Sequence, residues 1–513
     1  MHTQDWTAGY VSDLAYTFGY FPELNPLRAR FALLNKGIAV PGFESGCELG
    51  FGQGVSINMH AAAATMPWCG TDFNPAQAAL ARDLAVASGA GARLWDEAFG
   101  DFCHRSDLPD FDYIGLHGIW SWISDANRAA VVGFLQRKLR PGGIVYISYN
   151  TQPGWSAFAP LRHLMTEHAD VLGARGTGTA QRIEGALDFT ERLMGTKPSY
   201  LRANPNVEER FRSLRSQNRN YVAHEYFNRD WSPMHFSDVA AWVAPAKLTF
   251  AASAHLLDHV DALNLTAEQQ ALLGEIADAD FRQSVRDFMT NQQFRRDLWV
   301  RGPRQLSALA KAEALRAQSV LLISEPADVS LKVAGALGEA TLSVGVYGPI
   351  LDELSGYKMK TIGEIAAGVE AKGIALAQVI EAITVLAGGQ HLALVQDEAV
   401  ANRVRPQTDR LNAHLRDRAR GDGEVTVLAS PLTGGGVPVS RFDQLFLEAL
   451  GSGRQNPNEW AAYVWGVLSR QGQKIIKDGV TLQSAEANLA ELEAKASDFN
   501  KKALPGLRAL GIA

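Results

Sequence analysis

The sequence predicts an α/β protein whose core is a doubly wound, Rossmann-like sheet, followed by a helical domain and a mixed, winged-helix-like and helical C-terminal region. Strand-like and helical segments alternate over residues 41–150, and a glycine-rich loop follows the first strand-like segment. From residue 160 to residue 300, amphipathic helical patterns dominate instead. Strands that alternate with helices form parallel β-α-β units, which bind ligands at the carboxyl ends of the strands.

The length of 513 residues is too great for one hydrophobic core and predicts three or four domains. Changes in sequence pattern along the chain divide it into five regions. We expect an N-terminal arm or lid at 1–40, a cofactor domain at 41–160, a helical domain at 161–300, a winged-helix-like domain at 301–400 and a helical C-terminal domain at 401–513.

Composition excludes several classes of function. The net charge of -6 argues against a broad surface for nucleic acid. No apolar run is long enough to span a membrane, and the first residues lack the pattern of a secretory signal, so we expect a cytoplasmic protein. Cys47, Cys69 and Cys103 are widely spaced, which predicts reduced, buried thiols. We expect no metal, because no ligand cluster has suitable spacing.

Each strand in the cofactor domain is predicted from a short apolar, β-branched or aromatic run. Asn74 is expected to cap the second helix, with Pro75 at its first position, and Arg140–Gly143 to end the third. The predicted strands are Phe43–Leu49, Pro67–Asp72, Ala92–Trp95, Phe111–His117 and Ile144–Tyr149, and the predicted helices are Val55–Ala64, Asn74–Ala87 and Asp125–Leu139.

The later regions give weaker signals. Helices are expected at Leu161–Val171 and Ala271–Thr290. In residues 301–400, helices and a closing β-hairpin would suit a winged-helix-like module. Such modules, when they lack a basic recognition helix, more often contact proteins than DNA. Residues 401–423 are rich in arginine and are expected to form a solvated linker or loop, and the tail from Ser440 is expected to be helical.

The glycine-rich loop reads E-x-G-x-G-x-G over Glu48–Gly54. Three alternate glycines allow a sharp turn and a close approach to a ligand. A helix begins directly after the loop, so its N-terminus can face the same ligand. A dinucleotide would prefer G-x-G-x-x-G with an acid about 20 residues later. The loop predicts a nucleotide-type cofactor.

Two acids and a later turn distinguish the candidate cofactors. Glu48 ends the first strand, Asp72 ends the second, and Pro141-Gly142-Gly143 precedes the fifth. With the loop, they resemble the pattern of class I S-adenosylmethionine (SAM)-dependent methyltransferases over residues 41–150. The resemblance implies a class I methyltransferase sheet and SAM as cofactor.

The expected cofactor contacts follow the strand ends. Backbone amides of the loop can meet the carboxylate of SAM, and Asp72 can accept from both ribose hydroxyls. Phe73 and Phe99 could lie against adenine or be plain core residues, and Glu97 could be a contact or a solvated acid. The predicted cofactor residues are Glu48, Gly50, Gly52, Gly54, Asp72, Phe73, Glu97, Ala98, Phe99 and His117.

The methyl acceptor is expected at the end of the fourth strand, where His117, Trp120, Ser121 and Trp122 form a polar and aromatic rim. The segment is not N-P-P-Y, which disfavours methylation of an amide or an exocyclic base nitrogen. Aromatic faces suit a cation such as a sulfonium or an amino group. His117 and the tryptophans could equally be structural.

Further motifs resemble bacterial methyltransferases that carry a methyltransferase regulatory domain. The motifs are Tyr20–Pro26, H-G-x-x-S-W at 117–122, Tyr149–Trp155, Ala223–Asn228, Trp231–Met234 and Phe294–Asp297. The resemblance covers residues 1–300 well. It implies a protein lysine methyltransferase that modifies bacterial surface or outer-membrane proteins, acts as a homodimer, and uses residues 161–300 as a regulatory or substrate domain. One departure is Trp120, where the lysine-modifying members are expected to have tyrosine.

A lysine ammonium must lose a proton before it accepts a methyl group, from a pKa of about 10.4. Residues that could accept this proton or orient the amine are therefore candidates for catalysis, although a cluster at 224–226 could instead be a cap or a salt bridge. The predicted catalytic residues are His117, Trp120, Tyr149, His224 and Tyr226, with Glu225 beside them. Two alternatives are a methyltransferase of a small metabolite or glycan intermediate and a non-catalytic SAM-binding scaffold.

Overall fold

The computed structural model describes residue 10, residues 18–173 and residues 176–513. Residues 1–9 and 11–17 of the predicted arm lie outside the described residues. The first elements are α1 (Pro26–Asn35), β1 (Gly46–Leu49), α2 (Val55–Ala63), β2 (Trp68–Thr71), α3 (Pro75–Ser88), β3 (Arg93–Trp95), α4 (Phe99–Phe102), β4 (Phe111–Leu116), α5 (Asp125–Lys138) and β5 (Leu139–Asn150).

The predicted alternation of strands and helices is confirmed. β1 pairs in parallel with β2 and β4, β2 with β3, and β4 with β5. Asn74 caps α3 as expected, because its side chain accepts a hydrogen bond from the Ala76 amide at 3.0 Å. Such a cap contributes about 1 kcal/mol. Cys47, Cys69 and Cys103 are buried and unpaired.

The middle of the chain combines helices with two strands that complete the sheet. Its elements are α6 (Ala159–Val171), α7 (Thr179–Gly195), α8 (Ser199–Ala203), α9 (Asn206–Arg215), α10 (Arg219–Tyr226), α11 (Phe236–Val243), β6 (Leu248–Ser253), α12 (Asp261–Asn264), α13 (Ala267–Glu275), α14 (Ala279–Thr290) and β7 (Phe294–Arg301). β7 pairs antiparallel with β5 and with β6, which gives a seven-stranded sheet in the order β3-β2-β1-β4-β5-β7-β6.

The expectation of a purely helical domain over residues 161–300 is therefore wrong at β6 and β7. Charged residues hide the apolar pattern of β7, since Arg295 and Asp297 are both buried in the strand. A strand can carry buried charges where they pair with one another. The helical part, α6–α10, forms its own small core around Trp155, Phe158 and Phe211.

The region after residue 301 contains a three-stranded antiparallel sheet in the order β11-β8-β12. The elements are α15 (Ala308–Arg316), β8 (Ser319–Leu322), β9 (Lys332–Gly335), β10 (Gly338–Thr341), α16 (Val344–Glu353), β11 (Lys360–Thr361), α17 (Ile362–Glu370), α18 (Leu376–Gly388) and β12 (Leu392–Val395). The predicted closing hairpin is wrong, because β12 follows α18 as a single strand and pairs with the distant β8.

The C-terminal elements are α19 (Glu398–Ala419), β13 (Val427–Ser430), β14 (Gly435–Pro438), α20 (Arg441–Gly451), α21 (Pro457–Arg470), β15 (Ile476–Lys477), β16 (Val480–Thr481), α22 (Ala485–Asp498) and α23 (Leu504–Ala509). The predicted linker at 401–423 is instead most of the long helix α19, which packs on α2 and α3. Arg410 of this helix donates to the Ser88 carbonyl at 3.0 Å. Among the described helices, none has the length and apolarity of a membrane span.

Candidate active site

The glycine loop between β1 and α2 needs glycine for backbone conformation and for space. Gly50, Gly52 and Gly54 have φ values of 73°, 57° and 73°, in the left-handed region. A Cβ on Gly54 would lie 2.2 Å from the Ala81 Cβ, and one on Gly50 would lie 2.3 Å from the Ile119 Cδ1. Both distances are shorter than any van der Waals contact, so the loop fits tightly between α3 and the turn after β4.

Asp72, at the end of β2, is joined to this loop. Its Oδ2 accepts from the Gly52 amide at 2.9 Å, and its Oδ1 accepts from the Asn74 amide at 2.9 Å. Burial raises the pKa of Asp72 to about 6, although the two amides favour the carboxylate. The acid therefore holds the loop in place and presents its remaining acceptor positions to the adjacent space.

That space is a cleft of about 1240 Å³, open to solvent on one side, at the carboxyl ends of β1, β2 and β4. It brings together nine of the ten predicted cofactor residues, and Gly54 instead caps the start of α2. The nine in its lining are Glu48, Gly50, Gly52, Asp72, Phe73, Glu97, Ala98, Phe99 and His117. Residues far apart in the sequence thus form one continuous surface.

Two acids in the cleft have oxygen atoms without a partner. Glu48 Oε2 and Glu97 Oε2 are buried and accept no hydrogen bond from the described residues. The other oxygen of Glu97 pairs with Arg105 at 2.6 Å. Buried acceptors of this kind are costly unless a ligand supplies donors. The residues fit SAM, because Glu48 could hold its ammonium group, Asp72 its ribose and Glu97 its adenine amino group.

Burial and the nearby Asp72 charge raise the pKa of Glu48 to about 8. The free protein therefore holds a proton on this acid at neutral pH. A bound ammonium would favour the carboxylate and lower that pKa. We expect SAM binding at about pH 7 to release close to one proton, so affinity rises as the pH increases toward 8. Calorimetry in two buffers of different ionisation enthalpy measures the released protons.

The control for this prediction is Glu48→Gln, which keeps the shape of the side chain and cannot titrate. We expect this variant to bind SAM more weakly and to release no proton from position 48. If the wild-type protein released no proton at about pH 7, Glu48 would not face the ammonium group.

His117 lies in the cleft between two aromatic rings. Its Nδ1 is 2.8 Å from the Tyr146 hydroxyl, and the ring stacks on Phe21 with centroids 3.7 Å apart. Burial lowers the pKa of His117 to about 3, so the imidazole is neutral at physiological pH. A histidine with this pKa is a weak base. The structure supports an orienting role for His117 better than proton abstraction.

The structure does not bring the other predicted catalytic residues into the cleft lining. Trp120 is fully buried against Trp242, with centroids 6.4 Å apart, and its neighbour Trp122 lines the cleft instead. Tyr149 is buried and donates to Asp297 at 2.8 Å. Tyr226 packs against Trp155 in the small helical core.

His224 lies just behind the cleft wall. Its ring is 5.4 Å from the ring of Tyr10, which does line the cleft and also contacts Phe73 edge-on. The structure thus places His224, a predicted proton acceptor or orienter, behind Tyr10 and outside the cleft lining. Trp120 points into the core. Whether position 120 holds tryptophan or tyrosine therefore does not change the cleft lining.

Sequence reasoning missed several residues of the cleft lining. Tyr10, Phe21, Asn228 and Asp230 line the cleft beside the cofactor residues. Tyr10 and Phe21 come from the N-terminal arm. The prediction that this arm could be a lid was the one sequence feature that could have placed them at the cleft. Within the part of the chain that the structure describes, no group of three or more potential ligands is placed to hold a metal ion.

Comparison with known proteins extends these observations. A family described as "predicted methyltransferase regulatory domain" matches residues 218–301. The Synechocystis protein named "Uncharacterized protein sll1526" is 39% identical over 516 residues, which cover 99% of both chains. "Uncharacterized protein RP028" of Rickettsia prowazekii is 31% identical over 145 residues, covering 26% of this chain and 54% of that protein.

Solved structures give the same fold. The structure of PKMT2 from Rickettsia typhi in complex with AdoHcy superposes with a TM-score of 0.68, covering 96% of this chain and 99% of that chain. The sequence identity in this comparison is 16%, so the likeness concerns the fold. It includes the helical and C-terminal regions as well as the seven-stranded sheet.

Proposed function

The chain belongs to the family of class I, SAM-dependent methyltransferases that carry a methyltransferase regulatory domain, and we propose that it methylates lysine side chains of a protein substrate. The observation that carries the proposal is the cleft, where Asp230 and three aromatic side chains lie beside the predicted cofactor residues, in a chain whose fold matches PKMT2 over nearly its whole length. The extra domains are also larger than a small substrate requires.

The cofactor side of the cleft accounts for each part of SAM. Glu48 would hold the ammonium group, the backbone of the glycine loop would lie against the carboxylate, and Asp72 would accept from the ribose. Phe99 and Glu97 would contact the adenine. When bound, SAM supplies an electrophilic methyl group that an unprotonated amine can displace in line. The task of the protein is to align the amine and to exclude water.

The acceptor side suits a basic amine. Tyr10, Phe73 and Trp122 contribute aromatic faces, which attract cations and also pack against the methylene chain of lysine. Asp230 adds a carboxylate to the same lining, and its side chain is 34% exposed. The charge of Asp230 favours entry of the ammonium form, and the apolar surroundings deeper in the cleft lower the pKa of the amine.

His117 fits an orienting role in this arrangement. The Tyr146 hydroxyl occupies its Nδ1, so Nε2 remains for the substrate amine or an ordered water. In the tautomer with its proton on Nδ1, the neutral ring can accept a hydrogen bond from the amine at Nε2 without adding a positive charge near the sulfonium. We include in the proposal a cytoplasmic location, a homodimer and a bacterial surface protein as the target.

The test is methyl transfer from methyl-labelled SAM into an extract of source cells that lack this protein. We expect label in a discrete protein band and methyl-lysine after acid hydrolysis. The Asp72→Ala variant, added at the same concentration, is the negative control. Label confined to small molecules would replace the lysine proposal by a metabolite methyltransferase. SAM binding without any S-adenosylhomocysteine formation would indicate a scaffold.

A further inference from the structure

A second cavity lies between the N-terminal segment, α1 and the C-terminal region. Its empty volume is about 1000 Å³, and it takes in neither the glycine loop nor Asp72. Most of its wall is apolar. The apolar residues include Val55, Leu392, Leu394, Val425, Val427 and Val437. A cavity with such walls offers a favourable environment for the apolar body of a ligand.

One cation, Arg28 of α1, belongs to this mostly apolar wall, which also includes Asn25, Gln390 and Glu424. Its Nη1 donates to the Ala387 carbonyl at 3.1 Å. Its Nε is buried without an acceptor, and among the described residues no hydrogen bond reaches its Nη2. The free edge of the guanidinium, Nε with Nη2, is the edge that binds a carboxylate through two parallel hydrogen bonds.

Glu23 interacts with Arg28 electrostatically, but Glu23 and the wall residue Glu424 both form their ion pairs with other cations. Glu23 pairs with Arg296 at 3.4 Å, and Glu424, on the cavity wall, pairs with Arg418 at 3.1 Å. Within the described residues, no carboxylate lies within 4.0 Å of the Arg28 guanidinium. Arg28 is partly buried, and the charge of Glu23 acts on it only from beyond ion-pair distance. An anionic ligand in the cavity would supply the direct ion pair that Arg28 lacks.

We propose that this cavity binds a small carboxylic acid with an apolar body, whose carboxylate pairs with Arg28 and whose hydrocarbon part packs on the valine and leucine wall. This ligand would be distinct from SAM and from the methyl acceptor. The cavity is therefore a second ligand site, formed where the N-terminal segment meets the C-terminal region.

The segment Phe18–Phe21 separates the second cavity from the cofactor cleft. Phe18 and Tyr20 line the second cavity, Phe21 lines the cleft and stacks on His117, and Gly19 borders both. A ligand that orders this shared wall changes the position or freedom of Phe21. Ligand binding at the second site is therefore coupled to SAM binding, and the coupling is reciprocal.

The experiment measures binding of octanoate to the full-length protein by calorimetry, with 1-octanol as the uncharged analogue. We expect octanoate to bind at least about tenfold more tightly than 1-octanol. The Arg28→Met variant should lose this preference. Arg30→Met is the matched control, because Arg30 lies on the same helix, contacts Phe43 and is not part of the cavity wall. It should bind octanoate like the wild type.

Thermal unfolding of each variant establishes that it is folded before binding is measured. Equal affinity for octanoate and 1-octanol, unchanged binding in Arg28→Met, or no octanoate binding at millimolar concentration would overturn the site. Octanoate should also change the affinity for SAM by several fold in the wild type and in Arg30→Met, and should leave it unchanged in Arg28→Met. Octanoate binding without that change would overturn the coupling. These measurements do not depend on methyl transfer, so they stand apart from the lysine proposal.

Discussion

Replacing Asp72 by alanine should lower the affinity for SAM by at least about a hundredfold and leave the protein folded. Hydrogen bonds to a charged acceptor contribute about 1.5–3 kcal/mol each, and two ribose hydroxyls would lose theirs. The variant also removes the acceptor for the Gly52 amide, which fixes the glycine loop. Calorimetry with SAM measures the affinity, and circular dichroism with thermal unfolding measures the fold.

Two further variants sharpen this test. Asp72→Asn keeps an oxygen that can accept from the Gly52 amide but loses the charge. We expect its loss of SAM affinity to be large, but smaller than that of Asp72→Ala. Asp96 lies at the end of the neighbouring strand β3, is 45% exposed and pairs with Arg82 at 2.5 Å. Asp96→Ala should bind SAM like the wild type. Wild-type affinity in Asp72→Ala would contradict the assignment of the cleft to SAM.

The cofactor half of the protein could be predicted because its signals are local. Parallel strands buried on both faces appear as short apolar runs, and Asn74-Pro75 marks a helix start through cap chemistry. The residues after each strand share one edge of the sheet, so Glu48, Asp72 and Glu97 could be placed together from the predicted strands, and the resemblance to class I methyltransferases implied their roles. The loop was recognisable from its three alternate glycines, all of which have positive φ values in the structure.

The missed elements follow from interactions that only the folded chain shows. In β7, buried charges break the apolar alternation of the strand. In α19, five arginines obscured a regular apolar face formed by Val404, Leu411 and Leu415. The spacing of these residues is helical, but the arginines between them give the segment the composition of a solvated loop. The helix is buried on that face against α2 and α3.

The half of the cleft proposed to take the methyl acceptor could not be assembled from sequence spacing. Its residues come from position 10, from 21 and from 228–230, which meet only in the folded chain. The choice between Trp120 and Trp122 was also undecidable in advance. They lie at the two ends of one short 3-10 turn, which directs the first into the core and the second toward the cleft.

Replacing Arg295 by methionine should lower the free energy of unfolding by about 3–5 kcal/mol. Arg295 is 6% exposed and pairs with Asp287 at 2.5 Å and with Asp297 at 2.8 Å. Tyr149 completes this buried network by donating to Asp297. Without the guanidinium, two carboxyl groups remain buried beside each other, although burial already raises the pKa of Asp287 to about 7. Chemical denaturation measures the loss.

Arg82→Met is the matched control for this effect. The Arg82 pair with Asp96 has the same 2.5 Å separation, but both side chains are nearly half exposed, so its loss should cost at most about 1 kcal/mol. Combining Arg295→Met with Asp287→Leu and Asp297→Leu should recover much of the stability, because no unpaired charge then remains. A loss below about 1 kcal/mol in Arg295→Met alone would show that the network does not hold β7 against β5, and the regulatory domain would then need another anchor to the catalytic sheet.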